Sequence, residues 1–341
     1  MSRCLQLAKN GLGTTYPNPL VGAVIVLNDI IIGEGWHQKA GEGHAEVNAI
    51  KNVANKELLK EAAIYVSLEP CSHFGKTPPC SDLIIASGIK KVVIGSVDPF
   101  AKVAGRGIKK LLDAGCEVVV GVLEEQCKAL NKRFFTFHIQ QRPYIILKWA
   151  ETKDGFIAPD PETRDIQKPV WITTAASKQL VHKWRAEEMG ILAGTKTIEA
   201  DNPSLTTRNW AGSSPTRIVI DRSLRLDKSL TVYDDKQPTF IISEKSEKVS
   251  GNVNYLKADF TQNVPKQIVQ ILYSKGIQSV IIEGGSKTLQ SFIDTDLWDE
   301  ARVFKGDTEF KTGIKAPDFS ESKIISQSTI TGDLLTIYHR I

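Results

Sequence analysis

The first half of this sequence is organised around one stretch, in which His44-Ala45-Glu46 is followed by Pro70-Cys71 and then by Pro78-Pro79-Cys80. One imidazole and two thiolates can supply three ligands for a zinc ion and leave its fourth position open to water. A carboxylate that lies beside such a site without binding the metal can move protons, and Glu46 is placed for that task. We therefore predict a catalytic zinc site with His44, Cys71 and Cys80 as metal ligands and Glu46 as the catalytic residue.

The spacing of these residues narrows the class of site. His-x-Glu followed by Pro-Cys is the signature of zinc-dependent nucleobase deaminases, in which two residues separate the cysteines. Here eight residues, 72–79, separate Cys71 from Cys80. A structural zinc site would need a fourth ligand, for which His73 in the loop is a weak candidate, and ordinary buried thiols are the other alternative. The joint occurrence of the motifs favours the catalytic site over both.

Length and composition limit the classes of protein to consider. A chain of 341 residues exceeds the size at which one core usually keeps growing, so we expect two domains. Its 41% hydrophobic and 24% charged residues are typical of a soluble globular protein, without an apolar run of the roughly 20 residues that span a membrane. The net charge of +4 comes from scattered lysines, which suits a phosphorylated small molecule at least as well as nucleic acid. Five cysteines and an N-terminus without a signal-peptide pattern predict a cytoplasmic protein.

Helix-like and strand-like segments alternate along both halves, which is typical of α/β domains. The polar, proline-ended segment Gln140-Gln141-Arg142-Pro143 predicts a boundary between domains of residues 1–142 and 143–341. In the first half we predict strands at 22–26, 30–32, 63–68, 91–94 and 118–120, with helices at 2–10, 44–55, after residue 79, near 108–112 and at 124–135. In the second half we predict strands at 144–147, 191–193, 217–220, 239–242 and 279–282, helices at 175–185, 265–273 and 286–293, and two antiparallel strands within 322–341.

Several motifs give the sequence a resemblance to a known family. In the first half they are Pro17-Asn18-Pro19-Leu20-Val21-Gly22-Ala23-Val24, Gly35-Trp36-His37-Gln38-Lys39-Ala40-Gly41, Cys71-Ser72-His73-Phe74-Gly75-Lys76-Thr77-Pro78-Pro79-Cys80 and Val103-Ala104-Gly105-Arg106-Gly107. With these motifs the chain closely resembles the bacterial riboflavin-biosynthesis proteins RibD, which join a diaminohydroxyphosphoribosylaminopyrimidine deaminase to a reductase. The eight-residue spacing between the cysteines is typical of that family.

For the first half, the resemblance implies a cytidine-deaminase-like three-layer α/β/α domain that binds zinc and a phosphorylated pyrimidine. It carries over the ligands His44, Cys71 and Cys80 and the proton shuttle Glu46. The residues that it implies for substrate binding are Asn18, His37, Lys76 and Asp98.

For the second half, the resemblance implies a dihydrofolate-reductase-like α/β domain that uses NADPH. The matching motifs are Lys148-x-Ala150, Asp154-Gly155, Trp171-Ile172-Thr173, Arg185-Ala186, residues 200–208 and Glu283-Gly284-Gly285. The residues implied for the cofactor are Ala150, Trp171, Thr197, Asp201, Gly284, Gly285, Ser286, Lys287, Thr288 and Leu289. Those implied for the reductase substrate are Lys148, Arg185, Leu205, Arg208 and Glu283.

Two features of the second half suggest contacts with a phosphate independently of the resemblance. Glycines at a strand-to-helix turn let backbone N–H groups approach a phosphate, although a plain tight turn is an equally good interpretation of Gly284-Gly285. Arg222 follows a predicted strand, and we hypothesise that it faces the 2′-phosphate of NADPH.

The sequence departs from the family pattern at two positions. Phe100 stands where an asparagine is common, and Pro169 where a serine is often found. They motivate one alternative, a protein of this family with only one active domain. A nucleic-acid or nucleoside base deaminase and a non-catalytic metal-dependent regulator are the others. We expect a homo-oligomer, a dimer or a tetramer, that binds neither nucleic acid nor membranes.

Overall fold

The computed structural model of this protein describes residues 1–74, 78–100, 104–163, 167–245, 249–318 and 322–340. Lys76 therefore lies outside the described residues. The chain divides into two compact units, Met1–Gln141 and Arg142–Ile341, one residue before the boundary that the sequence predicts.

Unit 1 contains five strands and six α-helices among its described residues. In chain order these are α1 Ser2–Ala8, β1 Gly22–Leu27, β2 Ile30–Trp36, α2 Ala45–Asn52, β3 Ala63–Leu68, α3 Cys80–Ala86, β4 Lys91–Ser96, α4 Arg106–Asp113, β5 Glu117–Val120, α5 Glu124–Leu130 and α6 Lys132–Gln140. The sheet order is β2-β1-β3-β4-β5, in which β1 runs antiparallel to both its neighbours and β3, β4 and β5 are parallel.

Alternate residues of β1 point to opposite faces of this sheet, and both faces are covered. Ala23 and Ile25 join a buried cluster with residues of α2, α3 and α4. Val24 packs instead against Cys4 and Leu7 of α1. The helices thus lie on both sides of the sheet, and the predicted three-layer α/β/α architecture is confirmed.

The predicted single helix over 124–135 is wrong. The structure has two helices, α5 and α6, which meet at Asn131, where φ and ψ are −97° and 21°. The buried Asn131 side chain accepts from the N–H of Leu20 at 2.8 Å and donates to its carbonyl at 2.9 Å. The helix therefore ends where its amide is used to hold a segment 111 residues away in the chain.

Unit 2 is built on one large sheet. Its elements in chain order are β6 Tyr144–Glu151, β7 Phe156–Pro159, α7 Ala175–Glu187, β8 Gly190–Gly194, α8 Thr195–Asp201, β9 Thr216–Ile220, β10 Thr239–Ser243, β11 Val253–Lys257, α9 Val264–Ser274, β12 Ser279–Ile282, α10 Ser286–Asp294, β13 Glu300–Lys305, β14 Gly313–Lys315, β15 Ser322–Ile330 and β16 Asp333–Arg340. The order in the nine-stranded sheet is β11-β10-β9-β8-β12-β6-β13-β16-β15, and β7 pairs separately with β14. The strands from β11 to β13 are parallel, and β16 and β15 close the sheet as the predicted antiparallel pair.

The central strand β6 is buried on both faces, which explains its continuous apolar run. Ile145 and Leu147 pack in a cluster with residues of α9 and α10. Tyr144 and Ile146 pack on the other face with residues of α7. The predicted α/β class is confirmed for this unit, whereas α8, β7, β11, β13 and β14 were missed by the sequence analysis. Within the described part of the chain, none of the helices has the length and apolar character needed to cross a bilayer.

Candidate active sites

The three predicted metal ligands of unit 1 come together at the ends of three elements. His44 directly precedes α2, Cys71 follows β3, and Cys80 is the first residue of α3. Their ligand atoms all lie within 4.8 Å of one another. His44 Nδ1 is 3.2 Å from the Cys80 sulfur and 3.6 Å from the Cys71 sulfur. Tetrahedral zinc, with a nitrogen at about 2.1 Å and a sulfur at about 2.3 Å, places two such ligands about 3.6 Å apart. The donor set and its spacing therefore fit zinc.

The thiols of Cys71 and Cys80 have pKa values shifted in opposite directions. The hydrogen bond with Cys80 lowers the pKa of the Cys71 thiol, aided by His44 and opposed by burial. The same bond and the burial of its sulfur raise the pKa of Cys80. The Cys71 contact also raises the pKa of His44. One ligand is thus readily a thiolate, while the other gives up its proton when a cation takes the place of its hydrogen-bond partners.

Glu46 lies on the first turn of α2 and is buried, with 3% of its surface exposed. Burial raises the pKa of its carboxyl, and its side chain hydrogen-bonds Cys80. The carboxyl therefore sits beside the ligand cluster, where it can accept and return a proton.

Asn18 and His37 form a pair next to the ligands. Asn18 Nδ2 lies 3.0 Å from His37 Nε2, and His37 Nδ1 lies 3.2 Å from the carbonyl oxygen of Gly43. Burial lowers the pKa of His37, which favours the neutral ring. Because a carbonyl can only accept, Nδ1 carries the proton and Nε2 accepts from the Asn18 amide. The His37 ring centre is 5.3 Å from that of His44, which brings this pair to the zinc site.

Asp98 follows β4, at the same edge of the sheet as Cys71. Burial raises its pKa to about 6, against the hydrogen bond from the Phe100 N–H and with added effects of Glu69 and Cys71. The Phe100 N–H donates to Asp98 Oδ1 at 2.8 Å, and the Phe100 ring lies 5.0 Å from that of His138. The departure at Phe100 thus keeps a backbone contact to Asp98 and turns its side chain towards another ring.

The main polar cluster of unit 2 joins Lys148 on β6, Arg185 on α7 and Glu283 after β12. Glu283 Oε2 accepts from Arg185 Nη2 at 2.6 Å, and Lys148 Nζ is 3.9 Å from Oε1. Burial alone would raise the pKa of Glu283, but the charges of Arg185 and Lys148 outweigh it and lower the pKa to about 2. Burial also lowers the pKa of Lys148.

Two buried atoms of this cluster lack a hydrogen-bond partner among the described residues. They are Glu283 Oε1 and Arg185 Nε. Nearly all buried polar atoms in folded proteins are hydrogen-bonded, so two exceptions in one cluster are typical of a site that binds a ligand.

Side chains of α7 hold the loop after α8 next to this cluster. Arg185 Nη1 donates to the carbonyl of Thr206 at 3.1 Å, and the N–H of Arg208 donates to His182 Nδ1 at 3.2 Å. Burial lowers the pKa of His182 to about 4, and the charges of Arg185 and Arg208 add to this effect. His182 was not singled out from the sequence, where a lone histidine in a helix carries no signal.

Arg217 on β9 was also missed. It is almost fully buried, and its Nε donates to the Ser204 carbonyl at 3.0 Å while Nη1 pairs with Asp234 at 2.7 Å. Leu205, next in the loop, has a φ of 53°, and its side chain lies in the core. Any contact of Leu205 with a ligand would therefore come from its backbone.

The predicted cofactor residues lie mostly at the ends of the neighbouring strands β8 and β12. Thr197, on α8, accepts from the Gly285 N–H at 2.9 Å, and a Cβ on Gly194 would lie 2.6 Å from the Thr288 hydroxyl. The backbone after β8 thus approaches the start of α10 closely. Ser286 and Lys287 open α10, Asp201 ends α8 and Ala150 lies on β6, whereas the Leu289 side chain is in the core.

Two further predicted residues lie at the surface. Trp171 is 57% exposed, with the ammonium of Lys178 4.0 Å from its ring centre. Arg222 follows β9 and pairs with Glu244 at 2.9 Å, where β10 ends. An anion at Arg222 would have to compete with that carboxylate.

Replacement of one thiolate tests the metal ligands. Cys80→Ser should lower the zinc content well below that of the wild type, because a serine hydroxyl is not ionised at neutral pH and is a poor zinc ligand. Zinc would be measured by atomic absorption after dialysis, with Cys116→Ser, a buried thiol outside the cluster, as the control. Normal zinc in Cys80→Ser would rule out this ligand set.

The low pKa of His182 predicts a pH dependence of stability. The unfolded chain binds the His182 proton near pH 6.5 and the folded chain near pH 4, so unit 2 should lose stability as the pH falls through this window. At pH 5 the loss should be about 1–2 kcal/mol. His182→Asn, which keeps an acceptor for the Arg208 N–H, should show a smaller loss in urea unfolding between pH 7.5 and pH 5. Equal losses in both proteins would contradict the prediction.

Comparison with known proteins places both sites in one family. Residues 1–96 match the cytidine and deoxycytidylate deaminase zinc-binding region, and residues 143–306 match the RibD C-terminal domain. The chain is 42% identical to the riboflavin biosynthesis protein RibD of Aquifex aeolicus over 89% of this chain and 85% of that protein. It is 40% identical to RibD of Bacillus amyloliquefaciens over 89% of this chain and 82% of that protein.

Solved structures agree with these matches. A diaminohydroxyphosphoribosylaminopyrimidine deaminase/5-amino-6-(5-phosphoribosylamino)uracil reductase from Thermotoga maritima is similar with a TM-score of 0.90 and 36% identity, covering 100% of this chain and 97% of that one. Acinetobacter baumannii RibD is similar with a TM-score of 0.89 and 31% identity over the same shares. The chain belongs to the RibD family of riboflavin biosynthesis proteins.

Proposed function

We propose that this protein is a bifunctional enzyme of riboflavin biosynthesis that catalyses two successive reactions. Unit 1 removes the 2-amino group of 2,5-diamino-6-(5-phosphoribosylamino)pyrimidin-4(3H)-one by hydrolysis, and unit 2 then reduces the ribosyl group to a ribityl chain with NADPH. The observation that carries this proposal is the presence, in one chain, of the His44-Cys71-Cys80 cluster beside a buried Glu46 and of the Lys148-Glu283-Arg185 cluster. Membership of the RibD family supports it.

In the deaminase, His44, Cys71 and Cys80 would hold zinc, whose Lewis acidity makes water a nucleophile at neutral pH. Glu46 accepts one proton from the attacking water and delivers it to the ring nitrogen, and it then transfers the second proton, from the newly added hydroxyl group, to the leaving amine. Its burial keeps bulk water away from the transferred proton.

Asn18 hydrogen-bonds the edge of the pyrimidine ring. Because its amide nitrogen donates to His37, its carbonyl oxygen is left to accept a hydrogen bond from a donor on the ring. The Gly43 carbonyl fixes the His37 tautomer, which in turn fixes this orientation. Asp98 and Lys76 complete the proposed substrate contacts.

In the reductase, Lys148 is the proton donor for the sugar carbonyl oxygen. Its mostly buried ammonium lies 3.9 Å from Glu283, which keeps it in place, and this burial makes its proton easier to release. Glu283 is itself held by Arg185. Arg208 is exposed and is the cation best placed to bind the phosphate of the substrate.

NADPH supplies the reducing equivalents, and we place it at the ends of β8 and β12. Ser286 and Lys287 are the first two residues of α10, and backbone N–H groups at a helix N-terminus suit a phosphate. Thr197 borders this region through its hydrogen bond with Gly285. Trp171 would also contact the cofactor, and Arg222 would contact the 2′-phosphate after breaking its pair with Glu244. A homo-oligomer, dimer or tetramer, stays a prediction.

Glu46→Gln tests the deaminase assignment. The variant should keep its zinc, because Glu46 is not a ligand, and ammonia release should fall by about 10²–10⁴-fold. Reduction of the deaminated intermediate by NADPH should be unchanged. Glu125→Gln, an exposed carboxylate of the same unit, is the control. Loss of both activities would argue against independent sites.

Lys148→Met gives the reciprocal test. Methionine fills the same space without a transferable proton, so NADPH oxidation on the deaminated intermediate should fall by about 10²–10⁴-fold. Ammonia release should match the wild type. Lys183→Met, which removes a partly exposed lysine of α7, should retain both activities. A reductase rate within a factor of about three of the wild type would exclude Lys148 as proton donor.

A further inference from the structure

We propose that Glu69 is a positioning residue of the deaminase site, whose buried carboxylate ties the loop of the zinc ligand Cys71 to the loop of Asp98. The inference rests on the proposed deaminase function and adds a residue to it. Among the described residues, the hydrogen-bond partners of its carboxylate are backbone N–H groups and not the ligand cluster, so Glu69 acts through the backbone that it holds.

The carboxylate of Glu69 accepts hydrogen bonds from four backbone N–H groups. Oε2 accepts from Asp98 at 3.3 Å and from Gly105 at 3.0 Å. Oε1 accepts from Gly107 at 2.9 Å and from Ile108 at 3.3 Å. The side chain is 4% exposed, so these bonds form in a region with little water. Hydrogen bonds to an ionised acceptor are about twice as strong as neutral ones, and four of them offset the cost of burying this charge.

The donors lie on both sides of residues 101–103. Asp98 comes just after β4, and Gly105 to Ile108 begin α4, whose first turn offers N–H groups without intrahelical partners. One carboxylate thus holds the described backbone on both sides of these residues, and its negative charge suits the helix N-terminus. A side chain with a single acceptor atom could not do so.

The backbone of Glu69 leads into the proposed zinc site. Its own N–H donates to the carbonyl of Ser96 at 2.9 Å and extends the parallel pairing of β3 with β4. Cys71 follows two residues later. A Cβ on Gly107 would lie 2.1 Å from the carbonyl oxygen of Pro70, so the backbone at the start of α4 packs directly against the backbone before Cys71. A shift of the carboxylate therefore moves Asp98 relative to the metal ligand.

Glutamine cannot replace Glu69 in this arrangement. Its amide nitrogen would face two backbone N–H groups as a donor, so two of the four hydrogen bonds would be lost and two donors would be left unpaired. The backbone at Asp98 and at Gly105–Ile108 should then become more mobile. The proposed ligands His44, Cys71 and Cys80 are themselves unchanged, so zinc binding should persist.

The experiment compares Glu69→Gln with the wild type in three measurements on the full chain. Zinc content should stay at the wild-type level, and NADPH-dependent reduction by unit 2 should be unchanged, which reports on folding. The kcat/KM for ammonia release should fall by about 10–100-fold, mainly through a higher KM. Glu61→Gln, an exposed carboxylate of the same unit, should leave all three unchanged. An unchanged KM, or a loss of zinc equal to the loss of activity, would overturn the proposal.

Hydrogen exchange gives a readout that does not depend on activity. The amides of Gly105, Gly107 and Ile108 should exchange faster in Glu69→Gln than in the wild type, and unchanged exchange would overturn the proposal. Wild-type protein that releases no ammonia would instead refute the deaminase assignment.

A double variant separates positioning from a general loss of structure. If Glu69 acts through Asp98, then Glu69→Gln combined with Asp98→Asn should lose no more kcat/KM than Asp98→Asn alone. Additive losses would show that Glu69 acts by another route and would overturn the proposal.

Discussion

The parallel pairing of β3 with β4 is the interaction on which the deaminase site depends. Leu68 lies opposite Ser96, so both strands end at the same edge of the sheet, and the next residues carry Cys71 on one side and Asp98 on the other. Unit 2 uses the same constraint, since Ile282 lies opposite both Leu147 and Leu192. In parallel sheets the carboxyl ends of neighbouring strands meet, and ligands bind where they do.

The two sites differ in the charges that the strand ends present. Unit 1 brings together two thiols and an imidazole, which hydrogen-bond one another. A divalent cation would bind all three groups in place of these hydrogen bonds. Unit 2 brings together a lysine, an arginine and one carboxylate, with the exposed Arg208 nearby. This excess of positive charge suits a phosphorylated substrate. Similar backbone geometry therefore supports unrelated chemistry.

Much of the fold and the clustering of His44, Cys71 and Cys80 could be predicted from the sequence because the signals are local. His44, Glu46 and the Pro-Cys pairs are rare residue types at fixed spacing, and the apolar runs of the strands are continuous. Glu69, His182 and Arg217 act on backbone groups that the fold brings near, and residue types carry no information about such partners. The break between α5 and α6 was missed for the same reason, because it occurs where the Asn131 side chain hydrogen-bonds the distant backbone of Leu20.

The contact between Asn131 and Leu20 has a consequence for where a self-sufficient deaminase can end. The similarity to the zinc-binding region stops at Ser96, and a chain cut there would keep every proposed metal ligand. It would lose the amide that clamps Leu20 by both its N–H and its carbonyl, two residues from Asn18. A shortened chain of this kind could hold its metal and still lack a fixed wall for the pyrimidine. The catalytic module therefore extends at least through α5 to Asn131, well beyond the region that carries its signature.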